Sequence, residues 1–534
     1  MIKEGNSNQK ISYCINWVEH KLDFFTKNTI YSLIIIGVIG LFLRLYFFTP
    51  NIPITQDAVN YFWSAIDLSI LKQFSTGFTP ANNGWPIFLS IFFSVFHFDN
   101  VQDYTILQRL ITISISVLTI IPVYLLCNRF FNRSYSLFGA ALFVFEPRII
   151  QNSLRGITEP LYIILLTTTL FLFFSTNKKI IYLSFAIAAL TSFVRSEGMF
   201  LFFFLSIVFF VRYKKEKRMI RKYLLAASIF FLLLVPMMII RTQITGRDAL
   251  VGRLLGEVEY VISPTSLDDK KPNAVLYWIQ NFQHGIIFIV WSMIPLFIFF
   301  VPYGILILAS NRNQKNTEFI LAIIIMFIPS FYAISRLPDT RYFLPLHPLF
   351  AVLSLFTIKN LGDSLSNPNL FLVSLMTGIL LLSWFFLYSN NIDVEHEKEA
   401  LKFAYYVIYN TKVINNYYPE SGYLAFPSLS ELPHFPILSS QWHYVGPTAL
   451  DHIELSADSL EEYIEIGRKD GLTHLVLDAN KNRPSIFTDA FYNEEKYPYL
   501  IKEFDSRENG YRHYFVKVFK IDYDKFNTIL INKK

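Results

Sequence analysis

Two carboxylates and two guanidinium groups carry the clearest chemical signals in a chain that is otherwise rich in hydrocarbon. Asp57 lies in Pro53-Ile-Thr-Gln-Asp-Ala-Val-Asn-Tyr61, a few residues past an apolar run from Ile30 to Phe48. That spacing sets it where a membrane helix leaves the lipid, within reach of a lipid head group and of a water-soluble partner. A carboxylate in hydrogen-bond range of a hydroxyl or amine can take its proton as a general base. The plainer role is an acid capping a juxtamembrane helix. Downstream, Asn82-Asn-Gly-Trp-Pro86 supplies amides and one aromatic ring, Trp85, suited to hold a sugar.

The second acid is Glu159, in Arg155-Gly-Ile-Thr-Glu-Pro-Leu-Tyr162. Thr-Glu-Pro is good helix-start chemistry, and a first-turn acid also favours the helix dipole. Glu159 can equally orient an acceptor or a base, or pair with Arg155. The cations lie in Arg336-Leu-Pro-Asp-Thr-Arg-Tyr-Phe-Leu-Pro-Leu-His-Pro348. Arg341 and Tyr342 enter an apolar run there with Asp339 as the one local acid. An arginine grips phosphate through two parallel hydrogen bonds, so Arg341 and Arg336 suit a lipid-phosphate leaving group. Snorkelling to the membrane surface explains either arginine singly. Arg195 and Glu197, in Phe193-Val-Arg-Ser-Glu-Gly198, read as an ion pair or loop anchor, and His347 as interfacial.

The elements that hold these groups must be membrane helices. Of 534 residues, 53% are hydrophobic and 16% charged, with 54 Phe and 31 Tyr, against about 25% charge in a soluble protein. Several runs approach the roughly 20 residues that cross a bilayer. Eleven spans are predicted, over 30–48, 104–127, 135–147, 159–176, 180–194, 199–212, 222–240, 284–308, 318–334, 342–358 and 369–389. The apolar stretch 85–96 is short for a crossing and is expected to lie at the interface or re-enter. Residues 15–25 read as a short interfacial amphipathic helix or a plain tail. Because 29 mostly polar residues precede the first run, that run reads as a retained span. With two cysteines, Cys14 and Cys127, neither a disulfide framework nor a zinc thiolate site is expected.

Charge sets the expected topology. From Asn391 onward there are 16 Lys and Arg against 22 Asp and Glu, leaving 31 against 19 in the rest. The excess sits in short connections, at Arg129 and Arg133, Lys178 and Lys179, the cluster from Arg212 to Lys222, Arg312 and Lys315, and Lys359. Basic residues beside a span resist translocation, so this is topology rather than nucleic-acid binding. Residues 1–29 are then cytoplasmic, and 391–534 form an extracytoplasmic domain on the side of Asp57. Helix patterns at 397–408 and 456–466 and strand patterns at 422–426, 473–478 and 513–521 predict a small α/β domain. The outer ends of the spans collect Arg44, Asp57, Asp67, Glu146, Arg148, Arg155, Glu159, Arg195, Glu197, Arg241, Arg336, Asp339 and Arg341.

Five short motifs, in order, resemble the C-type (GT-C) membrane glycosyltransferases, in the branch of protein O-mannosyltransferases and bacterial lipid A aminoarabinose transferases. They are Gln56-Asp57-Ala58, Gln108-Arg-Leu-Ile-Thr112, Ile157-Thr-Glu-Pro-Leu-Tyr162, Phe193-Val-Arg-Ser-Glu-Gly198 and Arg341-Tyr-Phe-Leu-Pro-Leu-His-Pro348, within residues 30–350. The resemblance implies an all-α polytopic fold that transfers a sugar from a polyprenyl- or dolichyl-phosphate donor to a protein, lipid or glycan acceptor outside the membrane. It assigns the base to Asp57 and a second acid to Glu159, with phosphate contacts at Arg336 and Arg341; Tyr342, Trp85 and Arg155 complete the expected substrate-binding set. Many members carry Asp-Glu where this chain has Asp57-Ala58, and the Trp-Trp-Asp signature of oligosaccharyltransferases is absent. No cofactor is expected to be required, although Asp57 and Glu159 can share a divalent cation. The rival readings are a transporter or flippase, or a polysaccharide polymerase or ligase.

Overall fold

The computed structural model describes residues 28–52, 54–74, 83–98, 101–245, 274–311, 313–336, 339–410, 458–469, 472, 474–479 and 485–533. The chain divides into two compact units, one of residues 1–48, 81–85 and 109–391, the other of 49–80, 86–108 and 392–534. Among the described residues sixteen α-helices run up to the tail: α1 Thr29–Tyr46, α2 Gln56–Ile66, α3 Gly84–Phe93, α4 Val101–Leu118, α5 Ile120–Cys127, α6 Arg133–Val144, α7 Pro147–Ser153 and α8 Glu159–Phe173; then α9 Lys178–Val194, α10 Met199–Tyr213, α11 Met219–Thr245, α12 Ala274–Met293, α13 Val301–Ser310, α14 Gln314–Arg336, α15 His347–Asp363 and α16 Pro368–Ser389.

The first unit is a helical bundle of an integral membrane protein. Six described helical stretches are long and apolar enough to cross a bilayer, and α3, α8, α9 and α13 are shorter apolar helices. Burial sorts them. An 18-residue segment within Thr340–Asp363 is 89% buried, whereas the corresponding segments of α11 and α16 are each 22% buried. A helix apolar all round belongs in a core or in lipid, so α15 is the central post and α11 and α16 are the lipid-facing wall. The expected span 284–308 is not one helix. It is broken between α12 and α13 by a turn of 3₁₀ helix at Phe297–Phe299, next to Pro295 and ahead of Pro302, where prolines remove backbone donors. Helix starts carry their own caps: the Asn132 and Asn177 side chains accept the amide N–H of Tyr135 and Lys179, respectively, relieving unpaired first-turn donors.

Arg44 corrects an expectation. It is not an outer-face charge but is fully buried in α1. Its guanidinium donates to the carbonyls of Gly40 (2.9 Å) and Val144 (3.0 Å) and to Ser116 Oγ (2.9 Å), stapling α1 to α6 and α4. A buried cation needs several such acceptors.

Helix α3 has ten residues, about 15 Å of helix and half a bilayer. Phe93 packs edge-on against Phe62 of α2 and Tyr104 of α4, with ring centroids 5.7 and 5.2 Å apart. The tail holds α17 Val394–Asn410, α18 Leu460–Lys469, α19 Ser485–Tyr492 and α20 Tyr523–Lys533 around strands β1 His474–Asp478, β2 Leu500–Asp505 and β3 Val516–Ile521. The sheet is antiparallel in the order β1-β3-β2. Its two faces are both apolar because side chains alternate along a strand. Leu475, Leu477 and Phe519 join one cluster with Ile464 and Phe526, and Val476, Val516 and Val518 join another with Phe403. The expected strand at 422–426 and the amphipathic stretch 15–25 lie outside the described residues. Strand β2 and helices α19 and α20 were not foreseen.

Close packing of α13 on α15 rests on one missing side chain. A Cβ on Gly304 would stand 2.1 Å from the Leu353 carbonyl oxygen, so Gly304→Ala must push the helices apart. We expect a loss of about 2–3 kcal/mol in stability, read as a lowered thermal midpoint of the detergent-purified protein.

Candidate active site

The loop before Glu159 is held from three directions. The Arg109 guanidinium donates to the Leu154 carbonyl (2.7 Å) and the Thr112 hydroxyl to the Ser153 carbonyl (2.7 Å). The Trp85 indole N–H reaches the Gly156 carbonyl (3.3 Å). Gly156 has φ 75°, left-handed backbone that favours glycine. Trp85, expected as an open ring for a sugar, has no accessible surface; it lies beneath the loop and sets its height. Arg109 also lies over the Phe48 ring, 4.5 Å from its centroid. Trp85, Arg109 and Thr112 therefore support this loop.

Glu159 opens α8 after the N-cap residue Thr158 and is 1% exposed. Its ion-pair partner is Arg195 at 2.7 Å, not Arg155, whose side chain is exposed. Arg195 also binds Glu197 at 2.8 Å, which bears out the expected pair. The Thr158 hydroxyl turns to the Glu159 carboxylate at 3.4 Å instead of capping the helix. Arg195 stands in extended backbone, φ −149° and ψ 134°, between α9 and the 3₁₀ turn Ser196–Gly198. A Cβ on Gly198 would meet Ser192 N at 2.7 Å, so that sharp bend needs glycine.

The third motif closes on this pair. Asp339 caps the 3₁₀ segment Thr340–Leu346 by accepting the Arg341 amide N–H (2.9 Å), and its other oxygen pairs with Arg341 Nε at 3.0 Å. The Tyr342 ring lies between two cations, 5.4 Å from the guanidinium carbon of Arg195 and 5.4 Å from that of Arg341. Tyr162 offers Arg195 a further ring at 5.9 Å. The arrangement is Glu159–Arg195–Tyr342–Arg341–Asp339, with Glu197 on the central cation. Arg336 ends α14, and its side chain lies outside the described ones. Arg195 is the group whose central place in this arrangement sequence reasoning underrated; the signal was an arginine at a span end with an acid two residues on.

Asp57 belongs to the other unit. It occupies the first turn of α2 and is half-buried. Its neighbour Ala58 is fully buried, and the Ala58 carbonyl accepts a hydrogen bond from Gln108 Nε2 at 3.0 Å. The first two sequence motifs thus meet directly, and Gln108 fixes the turn that carries the acid. Ala58 is packed in the interior. His347, read as interfacial, is instead fully buried, with Nδ1 3.3 Å from the Phe343 carbonyl. Among the described residues no three His, Cys, Asp or Glu gather as a metal-ligand group.

Removing a partner from a buried ion pair strands the other charge, at about 3–5 kcal/mol. Arg195→Ala is expected to lower unfolding stability by that order, and Glu159→Gln in the same chain to restore most of it. Thermal or denaturant unfolding of the single and double variants measures this.

No family model matches the chain, and no curated protein matches it. Solved structures do. The apo oligosaccharyltransferase from Archaeoglobus fulgidus aligns over 84% of this chain and 69% of its own, with 14% identity and a TM-score of 0.51. ArnT from Cupriavidus metallidurans bound to undecaprenyl phosphate aligns over 92% of this chain and 97% of its own, with 10% identity and a TM-score of 0.51. Against the archaeal enzyme in complex with Zn and sulfate, at 16% identity and a TM-score of 0.49, the aligned part of this chain, 72% of it, spans 56% of that chain. These are GT-C glycosyltransferases, and theirs is the fold of this protein.

Proposed function

We propose that the protein is a lipid-phosphate-sugar-dependent glycosyltransferase that moves a sugar from a polyprenyl- or dolichyl-phosphate donor to a protein, lipid or glycan acceptor on the outer face of the membrane. The observation that carries this reading is the constellation of Glu159, Arg195, Tyr342 and Arg341, two cations about one aromatic ring with a buried acid, set in a GT-C fold. ArnT, which shares that fold, was solved with undecaprenyl phosphate, and this supports a polyprenyl phosphate as the donor's carrier.

The reaction is a single displacement. Asp57 accepts the proton of the acceptor hydroxyl or amine as its oxygen or nitrogen bonds to the anomeric carbon. The bond from that carbon to the phosphate oxygen breaks, and its electron pair leaves with the lipid phosphate. One displacement inverts the anomeric configuration. Arg341 and Arg336 receive the charge that develops on the phosphate, as preorganised partners should. Phosphate competes with Asp339 for Arg341, so the existing pair keeps that cation oriented before the donor arrives. Glu159, through Arg195, holds Tyr342 and Arg341 in place; Tyr342 and Arg155 contact the donor. A divalent cation at the carboxylates is compatible with this scheme but not required by it.

The proposed topology has eleven crossings, residues 1–29 in the cytoplasm and 391–534 outside. Basic connections resist translocation, and this supports the assignment.

Asp57→Asn removes the base while keeping the shape of the side chain, and general-base catalysis contributes about 10²–10⁴-fold. Transfer by the purified variant should fall by that order with membrane abundance unchanged; near-normal turnover would remove Asp57 from the mechanism. Arg341→Ala should raise the KM for donor about tenfold, the scale of one charge-assisted hydrogen bond, whereas Lys359→Ala should leave it unchanged. Equal effects in donor-dependence curves would reject the phosphate role.

A further inference from the structure

The opposite end of the helical bundle holds a second polar site. Helix α8 starts at Glu159 and ends at Phe173, about 20 Å further along the axis. There the Phe173 carbonyl accepts from Arg212 (2.7 Å), whose guanidinium also pairs with Glu318. Beside it opens a cleft of about 570 Å³ lined by Phe130, Phe356, Ser310, Asn313, Lys315 and Asn316 among others. Lys315 Nζ rests 4.7 Å from the centre of the Phe130 ring; Arg129 and Arg212 stand close enough to repel it, and Glu318 close enough to attract it. Phe130 in turn packs on Phe174 and Phe319.

Basic residues at such an end mark the membrane side that stays untranslocated, and that duty needs only their number. It does not need one of them, Lys315, to line a cavity with Arg129 and Arg212 close by. Among the described residues Lys315 and Arg129 form no ion pair, and Arg129 Nε is buried without a hydrogen-bond acceptor. The nearest acid, Glu318, is taken by Arg212 and by Gln314 at 3.0 Å. The walls divide by chemistry, aromatic on one side and ammonium, amide and hydroxyl on the other. The first turn of α14 adds the positive end of a 23-residue helix.

The geometry points to a phosphate-binding site in this cleft, for the head group of an anionic phospholipid or for free phosphate, remote from Glu159. Lys315 supplies charge from the wall and Arg129 from close by, Asn313, whose side-chain oxygen already accepts the Asn316 amide N–H, offers its side-chain N–H groups, and Phe130 and Phe356 give the apolar wall on which a lipid's glycerol and upper chains can lie.

The test uses the full chain in detergent and native mass spectrometry. Dioleoyl phosphatidylglycerol is titrated against dioleoyl phosphatidylcholine, and millimolar inorganic phosphate is added as competitor. The wild type should prefer the anionic lipid, and Arg129→Gln/Lys315→Gln should weaken it about tenfold. Ser310→Trp keeps every charge but fills the cleft, and should weaken it likewise, which serves if the double variant does not fold. Arg133→Gln, an exposed charge at the start of α6, should change nothing. Retention against inorganic phosphate identifies the lipid as the source, and displacement by it identifies soluble phosphate. The proposal fails if neither the lipid nor phosphate binds with preference, or if Arg133→Gln costs as much as the double variant.

Discussion

A buried ion pair, Glu159 with Arg195, is the constraint on which the architecture of the candidate site depends. Its two side chains are 2% and 13% exposed, in a bundle whose other contents are nearly all apolar. Charges in such surroundings survive only as partners. The pair therefore dictates where α8 may begin and how α9 may end, and Arg195 then places the Tyr342 ring and, through it, Arg341.

Around that pair the molecule spends its few polar groups on holding backbone. Arg109, Thr112 and Trp85 each bind a carbonyl of the loop 153–156, and Arg44 binds carbonyls of two helices. In a bilayer there is no water to satisfy such groups, so a loop at the end of a span must be satisfied by protein. The result is a rigid platform. A rigid platform suits electrostatic work, because charges that must meet a developing phosphate charge are most useful when they do not have to reorganise.

The two ends of the bundle solve the same problem differently. Near Glu159 the acids and arginines alternate, and Arg195 and Arg341 each already hold a carboxylate. Near Phe173 three cations stand about one carboxylate, and one of them, Lys315, lines a cleft. The tail sheet follows the soluble rules: both faces alternate apolar residues against helices, and charged residues lie at the margins, as in the Lys502–Glu508 and Lys517–Glu494 pairs.

Hydropathy and charge alone determined the class of the protein, because a 20-residue apolar run has few other uses and because basic connections cannot cross. The order of the five motifs also announced the fold. The helices α8, α9, α14 and α16 lie close to their expected limits for the same reason. What pattern could not carry was partnership. Arg155 is four residues from Glu159 in sequence and Arg195 is thirty-six, yet only the second reaches it, since the loop 153–158 turns Arg155 outward at Gly156. Trp85 looked available and is buried; Arg44 looked like a surface charge and is a staple; the run 284–308 looked continuous and breaks near Pro295. Apolar periodicity records which segments enter the membrane. Which charge finds which, once the helices pack, is decided by distances between segments far apart in the chain, and only the tertiary structure contains those.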